Sequence, residues 1–77
     1  MEQVQIENRL KSAFPDGHIL VMDLTGGGDH WEVRVSSSRF NGLSRIQRHQ
    51  EVMKLFDAEL KSGELHALSI KTLEQPQ

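Results

Sequence analysis

The chain has 77 residues, a length typical of one small domain that buries only about 60% of the surface its unfolded chain exposes. It contains no cysteine, which excludes a disulfide framework and leaves no internal thiolate to bind a metal. Its net charge of −2 gives no overall attraction to polyanions. No apolar run approaches the roughly 18 residues of a membrane span, and Met1-Glu2-Gln3 lacks the basic start of a secretory signal, so we expect a cytoplasmic protein without membrane contact.

The first elements are a helix and a strand. Apolar residues recur at helical spacing from Val4 to Phe14, and Pro15-Asp16-Gly17 ends this pattern. The apolar run over residues 18–24 is too short for a helix between two glycine-marked breaks. It predicts a first, largely buried strand.

A run of three glycines, residues 26–28, connects this strand to the next one. Such a run indicates a loop with unusual conformational freedom. Beyond it, Trp31, Val33 and Val35 alternate with polar residues, which predicts a second strand with one covered face.

Two helical segments follow. Residues 36–42 offer capping hydroxyls and a glycine stop, which predict one helical turn that anchors Phe40. Ser44 can cap a long helix that Ser62-Gly63 closes. Its stripe at spacings of three and four is expected to face the sheet: Ile46, His49, Met53, Phe56 and Leu60. Because His49 shares this stripe, we interpret it as a hydrogen-bonded core residue and not as a catalytic group or a metal ligand.

A third strand is predicted from His66 to Leu73, where apolar and polar residues alternate. The fold class is therefore α+β, of order αββααβ, with a three-stranded mixed sheet and helices on one face. The chain reads as a single domain over residues 1–77, and residues 1–3 and 74–77 are expected to fray.

The predicted topology brings two distant histidines together. Strands one and two share a short loop and pair antiparallel, whereas strands two and three are separated by helices, as parallel neighbours require. If strands two and three are adjacent, they begin at the same edge, so His30 and His66 meet there. Taken singly, His30 is also compatible with a solvated loop residue, and His66 with simple packing.

Two neutral imidazoles are good ligands for zinc, copper or iron, but they fill only half of a four-ligand shell. The nearby hard ligands in the sequence are Asp29 and Glu64, a set that does not favour a stable zinc or iron-sulfur site made by this chain alone. The pattern therefore predicts a metal site that a cysteine-bearing partner completes.

The chain resembles the BolA family along nearly its whole length. The resemblance is carried in order by Asp23-Leu24-Thr25, His30-Trp31, Phe40-Asn41-Gly42, Arg48-His49, His66-Ala67-Leu68 and Lys71-Thr72-Leu73. The tail differs, since many relatives have Thr-Pro and an aromatic residue after the last strand, where this chain has Glu74-Gln75-Pro76-Gln77.

The resemblance implies the αββααβ fold, which is related to the KH domains, and a partnership with a monothiol glutaredoxin around a bridging 2Fe-2S cluster. The implied ligands are His66, at the start of the last strand, and His30, in the loop before strand two, which makes the chain a histidine-loop type. The glutaredoxin and its bound glutathione would supply thiolates, and the isolated chain would hold no cofactor. Alone, we expect a monomer or a weak homodimer.

A nucleic-acid-binding regulator is the alternative. A basic surface could be formed by Arg39, Arg45, Arg48, Lys54 and Lys71, and a KH-like or helix-turn-helix-like fold would present it to phosphates. The connection over residues 40–44 lacks the GXXG loop with which KH domains hold the nucleic-acid backbone, and acidic residues dilute the positive charge. An enzyme is not expected, because the sequence has no nucleophile-base set and the glycine loop has no phosphate-binding lysine.

Overall fold

The computed structural model describes residues 1–74. The elements are α1 (Gln3–Ala13), β1 (His18–Asp23), β2 (His30–Ser37), a 3-10 turn (Ser38–Phe40), α2 (Arg45–Met53), a second 3-10 turn (Lys54–Phe56), α3 (Asp57–Ser62) and β3 (Ala67–Glu74). The predicted order of elements is confirmed, with the predicted long helix divided into α2, the second 3-10 turn and α3.

The three strands form one sheet in the order β1-β2-β3. β1 pairs antiparallel with β2, and β2 pairs parallel with β3. The predicted adjacency of strands two and three is therefore confirmed. His30 is opposite Ala67 in the parallel pair. His66, the residue just before β3, therefore lies at the same end of the sheet as His30.

The core lies on the sheet face that the helices cover. β2 supplies alternate buried residues, while Arg34 on the same strand is exposed, as its period of two predicts. β1 is less buried than the sequence suggested, because it is an edge strand and Leu20 is half exposed. The buried apolar residues are Ile6, Leu10, Phe14, Val21, Trp31, Val33, Val35, Phe40, Val52, Phe56 and Leu65.

The ends of the helical segments follow their capping residues. The Ser44 hydroxyl accepts the Gln47 N–H at 3.1 Å, and the Gln47 side chain accepts the Ser44 N–H at 2.9 Å. This reciprocal pair satisfies donors at the start of α2, as the sequence predicted for Ser44. Gly63 ends α3 in the left-handed region at φ +86°, again as predicted.

The predicted core stripe of the long helix is wrong in its first half. Ile46 is 71% exposed and His49 is exposed, whereas Val52 and Phe56 are completely buried. The face toward the sheet is therefore rotated around the helix axis and runs through Arg48, Val52 and Phe56 at spacings of four. His49 is consequently not a core histidine.

The first and last described residues belong to regular structure or lie beside it. Gln3 begins α1, and Glu74 ends β3 opposite Ser37. The remainder of the predicted frayed tail, residues 75–77, lies outside the described part of the chain. Within residues 1–74, no helix is long and apolar enough to span a membrane.

Candidate metal centre at the start of β2 and β3

The glycine loop between β1 and β2 is shaped by one carboxylate. Asp23 accepts the backbone N–H groups of Gly26 at 2.9 Å, Gly28 at 3.1 Å and Thr25 at 3.3 Å. Gly26 and Gly28 have φ angles of +80° and +76°, a region that glycine enters without a steric penalty. The sequence indicated freedom in this loop and gave no sign that Asp23 organises it.

Backbone hydrogen bonds then join the end of this loop to β3. The Asp29 carbonyl accepts the N–H of His66 at 2.9 Å and that of Ala67 at 3.3 Å, and the His30 carbonyl accepts the Leu24 N–H at 2.9 Å. The two segments that carry the histidines are thus hydrogen-bonded to each other. The pairing of these two segments in the sheet therefore determines where the His30 and His66 side chains lie.

The two imidazole rings lie close together, as the topology predicted. Their centroids are 5.8 Å apart, and the rings are nearly perpendicular at 86°. The His30 side chain is 40% exposed and the His66 side chain 59%. The sheet edge therefore presents two imidazoles that a second molecule can reach.

Asp29 lies between the two rings. Its Oδ1 is 3.1 Å from Nδ1 of His30, and its Oδ2 is 3.3 Å from Nδ1 of His66. The His30 imidazole beside it lowers the pKa of Asp29 below its ordinary value, and the Thr25 hydroxyl, which donates to Oδ1 at 3.2 Å, acts in the same direction. Asp29 is therefore an anionic carboxylate at neutral pH.

One ligand atom from each of Asp29, His30 and His66 lies within 4.8 Å of the other two. Among the described residues, this is the group of three metal-binding side chains that the fold assembles. The sequence identified Asp29 and Glu64 equally as nearby acids, but Glu64 lies 3.9 Å from the amino group of Met1 instead. Only the side-chain positions distinguish the two.

The basic residues considered for nucleic-acid binding line two different cavities. Arg45, Arg48 and Lys71 line a cavity of 520 Å³, whereas Arg39 and Lys54 line another of 360 Å³. Arg48 is also engaged within the fold, since it donates to the Leu43 carbonyl at 3.2 Å, to Thr72 Oγ1 at 3.3 Å and to Glu74 at 3.3 Å. Its first role is to attach α2 to β3.

Comparison with known proteins gives one consistent result. A family model described as "BolA-like protein" matches residues 1–77. The Arabidopsis thaliana protein named "Protein BOLA2" is 40% identical over 74 residues, which cover 95% of this chain and 77% of that protein.

Solved structures agree with this match. The structure titled "BolA domain of SufE1 from Arabidopsis thaliana" aligns with a TM-score of 0.83 and 31% identity over 96% of this chain and 94% of that one. "BolA1 from Arabidopsis thaliana" aligns with a TM-score of 0.84 and 26% identity, covering 99% of this chain and 100% of the other. The α+β architecture with a three-stranded mixed sheet is thus shared with these structures.

Proposed function

The chain belongs to the BolA-like family, and from this premise we propose that it is a non-enzymatic adaptor that binds a monothiol glutaredoxin and co-ligates a bridging 2Fe-2S cluster. In this proposal His30 and His66 are the ligands from this chain, and the glutaredoxin and its glutathione contribute thiolates. The protein would act in iron-sulfur trafficking or in iron and redox signalling.

The observation that carries the proposal is the pairing of His30 with His66 at one edge of the sheet. Their ring centroids are 5.8 Å apart, although the residues are 36 positions apart in the sequence. The backbone bonds between Asp29 and residues 66–67 hold the two segments in register. Two imidazoles so placed suit a single iron atom, as two histidines do in Rieske centres.

The donor set fits a shared cluster better than a complete internal one. The chain has no thiolate, so the two imidazoles leave ligand positions that another molecule must fill. Both side chains are accessible at 40% and 59% exposure, which allows a partner to approach. Neutral imidazole in place of thiolate lowers the negative charge at iron and raises the reduction potential of a bound cluster.

The test mixes this chain anaerobically with a cluster-loaded monothiol glutaredoxin and records visible absorption and circular dichroism. We expect a spectrum that differs from that of either protein alone. His66→Ala is expected to abolish the stable shared cluster, and His30→Ala to change its spectrum and shorten its lifetime, because each removes one imidazole donor.

His18→Ala is the matched control, since His18 is exposed and begins β1 opposite Ser36, at the other end of the strands from His30. This variant is expected to give the wild-type spectrum. The proposal is contradicted if the glutaredoxin spectrum persists unchanged at an excess of this chain, or if both ligand variants still give the mixed spectrum.

Nucleic-acid binding is the competing proposal, and the cavity lined by Arg34, Arg45 and Lys71 is what favours it. A salt-dependent titration with duplex DNA and single-stranded RNA tests it, because phosphate contacts weaken steeply as salt rises. Binding that is lost in an Arg45→Ala/Lys71→Ala double variant would support this role. Absence of salt-dependent binding to either nucleic acid would contradict it.

A further inference from the structure

We propose that the chain, without any partner, binds one divalent first-row transition-metal ion through Asp29, His30 and His66. The inference uses the two histidines of the proposed function, but it needs neither a glutaredoxin nor a cluster. It departs from the expectation, drawn from the sequence, that the isolated chain holds no metal, because the fold places Asp29 beside both rings. Asp29 is the residue that distinguishes it, because its carboxylate adds a third donor to the two imidazoles.

The distances from the Asp29 oxygens to the two imidazole nitrogens are similar to those between neighbouring ligands of one metal ion. Zinc binds imidazole nitrogen at about 2.0–2.1 Å, which places neighbouring ligands of a tetrahedral ion about 3.3 Å apart. Asp29 Oδ1 is 3.1 Å from His30 Nδ1, and Asp29 Oδ2 is 3.3 Å from His66 Nδ1. Each carboxylate oxygen is therefore at ligand spacing from one of the two rings, and one donor atom from each of the three residues lies within 4.8 Å of the other two.

The His30 contact is also poorly satisfied as a hydrogen bond. His30 Nδ1 is buried and has no hydrogen bond of regular geometry within residues 1–74, although Asp29 Oδ1 is only 3.1 Å away. The two polar atoms are close together but are not aligned for a hydrogen bond. Two ligands of one cation have a similar spacing. A metal ion between them would satisfy both.

Asp29 is held in this position by its surroundings. The Thr25 hydroxyl donates to its Oδ1 at 3.2 Å, and its carbonyl accepts the His66 N–H at 2.9 Å. Such outer contacts orient ligands and typically contribute 10-fold to 100-fold to metal affinity. Thr25 would thus support the site by contacting Asp29, without contacting the ion.

Two imidazoles and one carboxylate are the donor set found at zinc and at non-haem ferrous sites with open positions. The ion would complete its shell with water. Since the same two imidazoles cannot serve a mononuclear ion and a shared cluster at once, a bound divalent ion is expected to oppose cluster sharing.

The experiment titrates the isolated chain with Zn²⁺ by calorimetry and with Co²⁺ by visible absorption, with Mg²⁺ as a hard cation that imidazole does not favour. We expect one Zn²⁺ or Co²⁺ per chain and no saturable Mg²⁺ binding. Asp29→Asn and His66→Ala are each expected to raise Kd at least 10-fold. His18→Ala and Asp57→Asn, at exposed positions outside the site, are expected to leave Kd unchanged.

Absence of saturable Zn²⁺ and Co²⁺ binding would overturn the inference, and so would an Asp29→Asn variant that binds as tightly as the wild type. The cluster spectrum with glutaredoxin is read separately. If metal binding fails while the mixed spectrum forms, only this inference falls; if the metal binds while the mixed spectrum does not form, the proposed function falls for that partner.

Discussion

Two aspartates at opposite ends of β2 show how one residue type serves structure at one place and binding at the other. Asp16 accepts the Ser38 N–H at 2.9 Å and the Ser37 hydroxyl at 3.0 Å, and also the Ser38 hydroxyl. Asp29, just before the strand, is flanked instead by two imidazoles at 3.1 and 3.3 Å. The two aspartates differ in role because Asp16 contacts serine donors, whereas Asp29 contacts imidazoles.

The Ser37 hydroxyl and the Ser38 hydroxyl and N–H all donate to Asp16, so this cluster fastens the end of β2 to the loop after α1. Imidazole nitrogens donate a proton in one state and bind a metal in another. We therefore expect the loss of a buried partner at the Asp16 end to cost more folding stability than a change at the Asp29 end, and changes at the Asp29 end to affect metal affinity.

Ser37→Ala gives the largest expected effect on folding. The Ser37 hydroxyl is completely buried, donates to Asp16 and accepts the Arg39 N–H at 3.1 Å. Its removal should lower the free energy of unfolding by about 2 kcal/mol, because both hydrogen bonds are lost in a buried place. Urea unfolding measures this loss, and Co²⁺ affinity should stay at the wild-type value.

Ser69→Ala is the control for that variant, since Ser69 is an exposed serine of β3. Its unfolding midpoint should not change measurably. Equal midpoints for Ser37→Ala and the wild type would show that the Asp16 end does not fasten the fold.

Gly28→Ala tests whether loop shape reaches the metal site. Gly28 has φ +76°, and a Cβ there would lie 3.3 Å from the Met1 carbonyl oxygen, so either Met1 or the loop next to Asp29 must move by a few tenths of an ångström. We expect a loss of about 1 kcal/mol in stability together with a several-fold weaker Co²⁺ affinity.

Gly42→Ala imposes the same backbone strain at φ +83°, but apart from its two chain neighbours no residue among those described has an atom within 4 Å of the added Cβ. It should lose similar stability and keep the wild-type Co²⁺ affinity. If both glycine variants bind Co²⁺ equally well, the shape of the glycine loop does not position Asp29.

The smallest expected effect is on the acid dependence of stability. Hydrogen bonds from Ser38 lower the pKa of Asp16 from 3.8 to about 2. Because this pKa is depressed in the folded state, its contribution is complete above about pH 3.8 and is lost as the pH falls toward 2. Asp16→Asn should therefore show a shallower loss of stability than the wild type over this window, measured by urea unfolding at each pH.

Asp57→Asn, which changes an aspartate remote from the serines, should follow the wild-type curve. Parallel curves for Asp16→Asn and the wild type would contradict the depressed pKa. Since Asp16 is exposed and screened by solvent, the expected difference is modest.

The sequence was sufficient to predict the meeting of His30 and His66, because strand order alone determines which strand starts share an edge. It was also sufficient for the helix start at Ser44 and the stop at Gly63, where capping chemistry is local. These features depend on backbone direction and on nearest neighbours in the chain.

Side-chain placement was harder to predict. The Ile46 and His49 stripe failed because it left out Val52, which is buried with Phe56 on the face toward the sheet, while the polar Arg48 on that face gave no apolar signal. The choice of Asp29 over Glu64 depends on how β3 enters the sheet beside the loop. Neither the buried face of the helix nor the choice of Asp29 could be predicted without knowledge of the tertiary contacts.

The most direct test of the central claim is pulsed electron paramagnetic resonance of the reduced mixed cluster, prepared with ¹⁵N-histidine in this chain only. Because the glutaredoxin stays unlabelled, any ¹⁵N coupling to the cluster comes from this protein. We predict couplings from two nitrogens, reduced to one in His30→Ala. A mixed complex whose reduced cluster shows no ¹⁵N coupling would contradict ligation by His30 and His66.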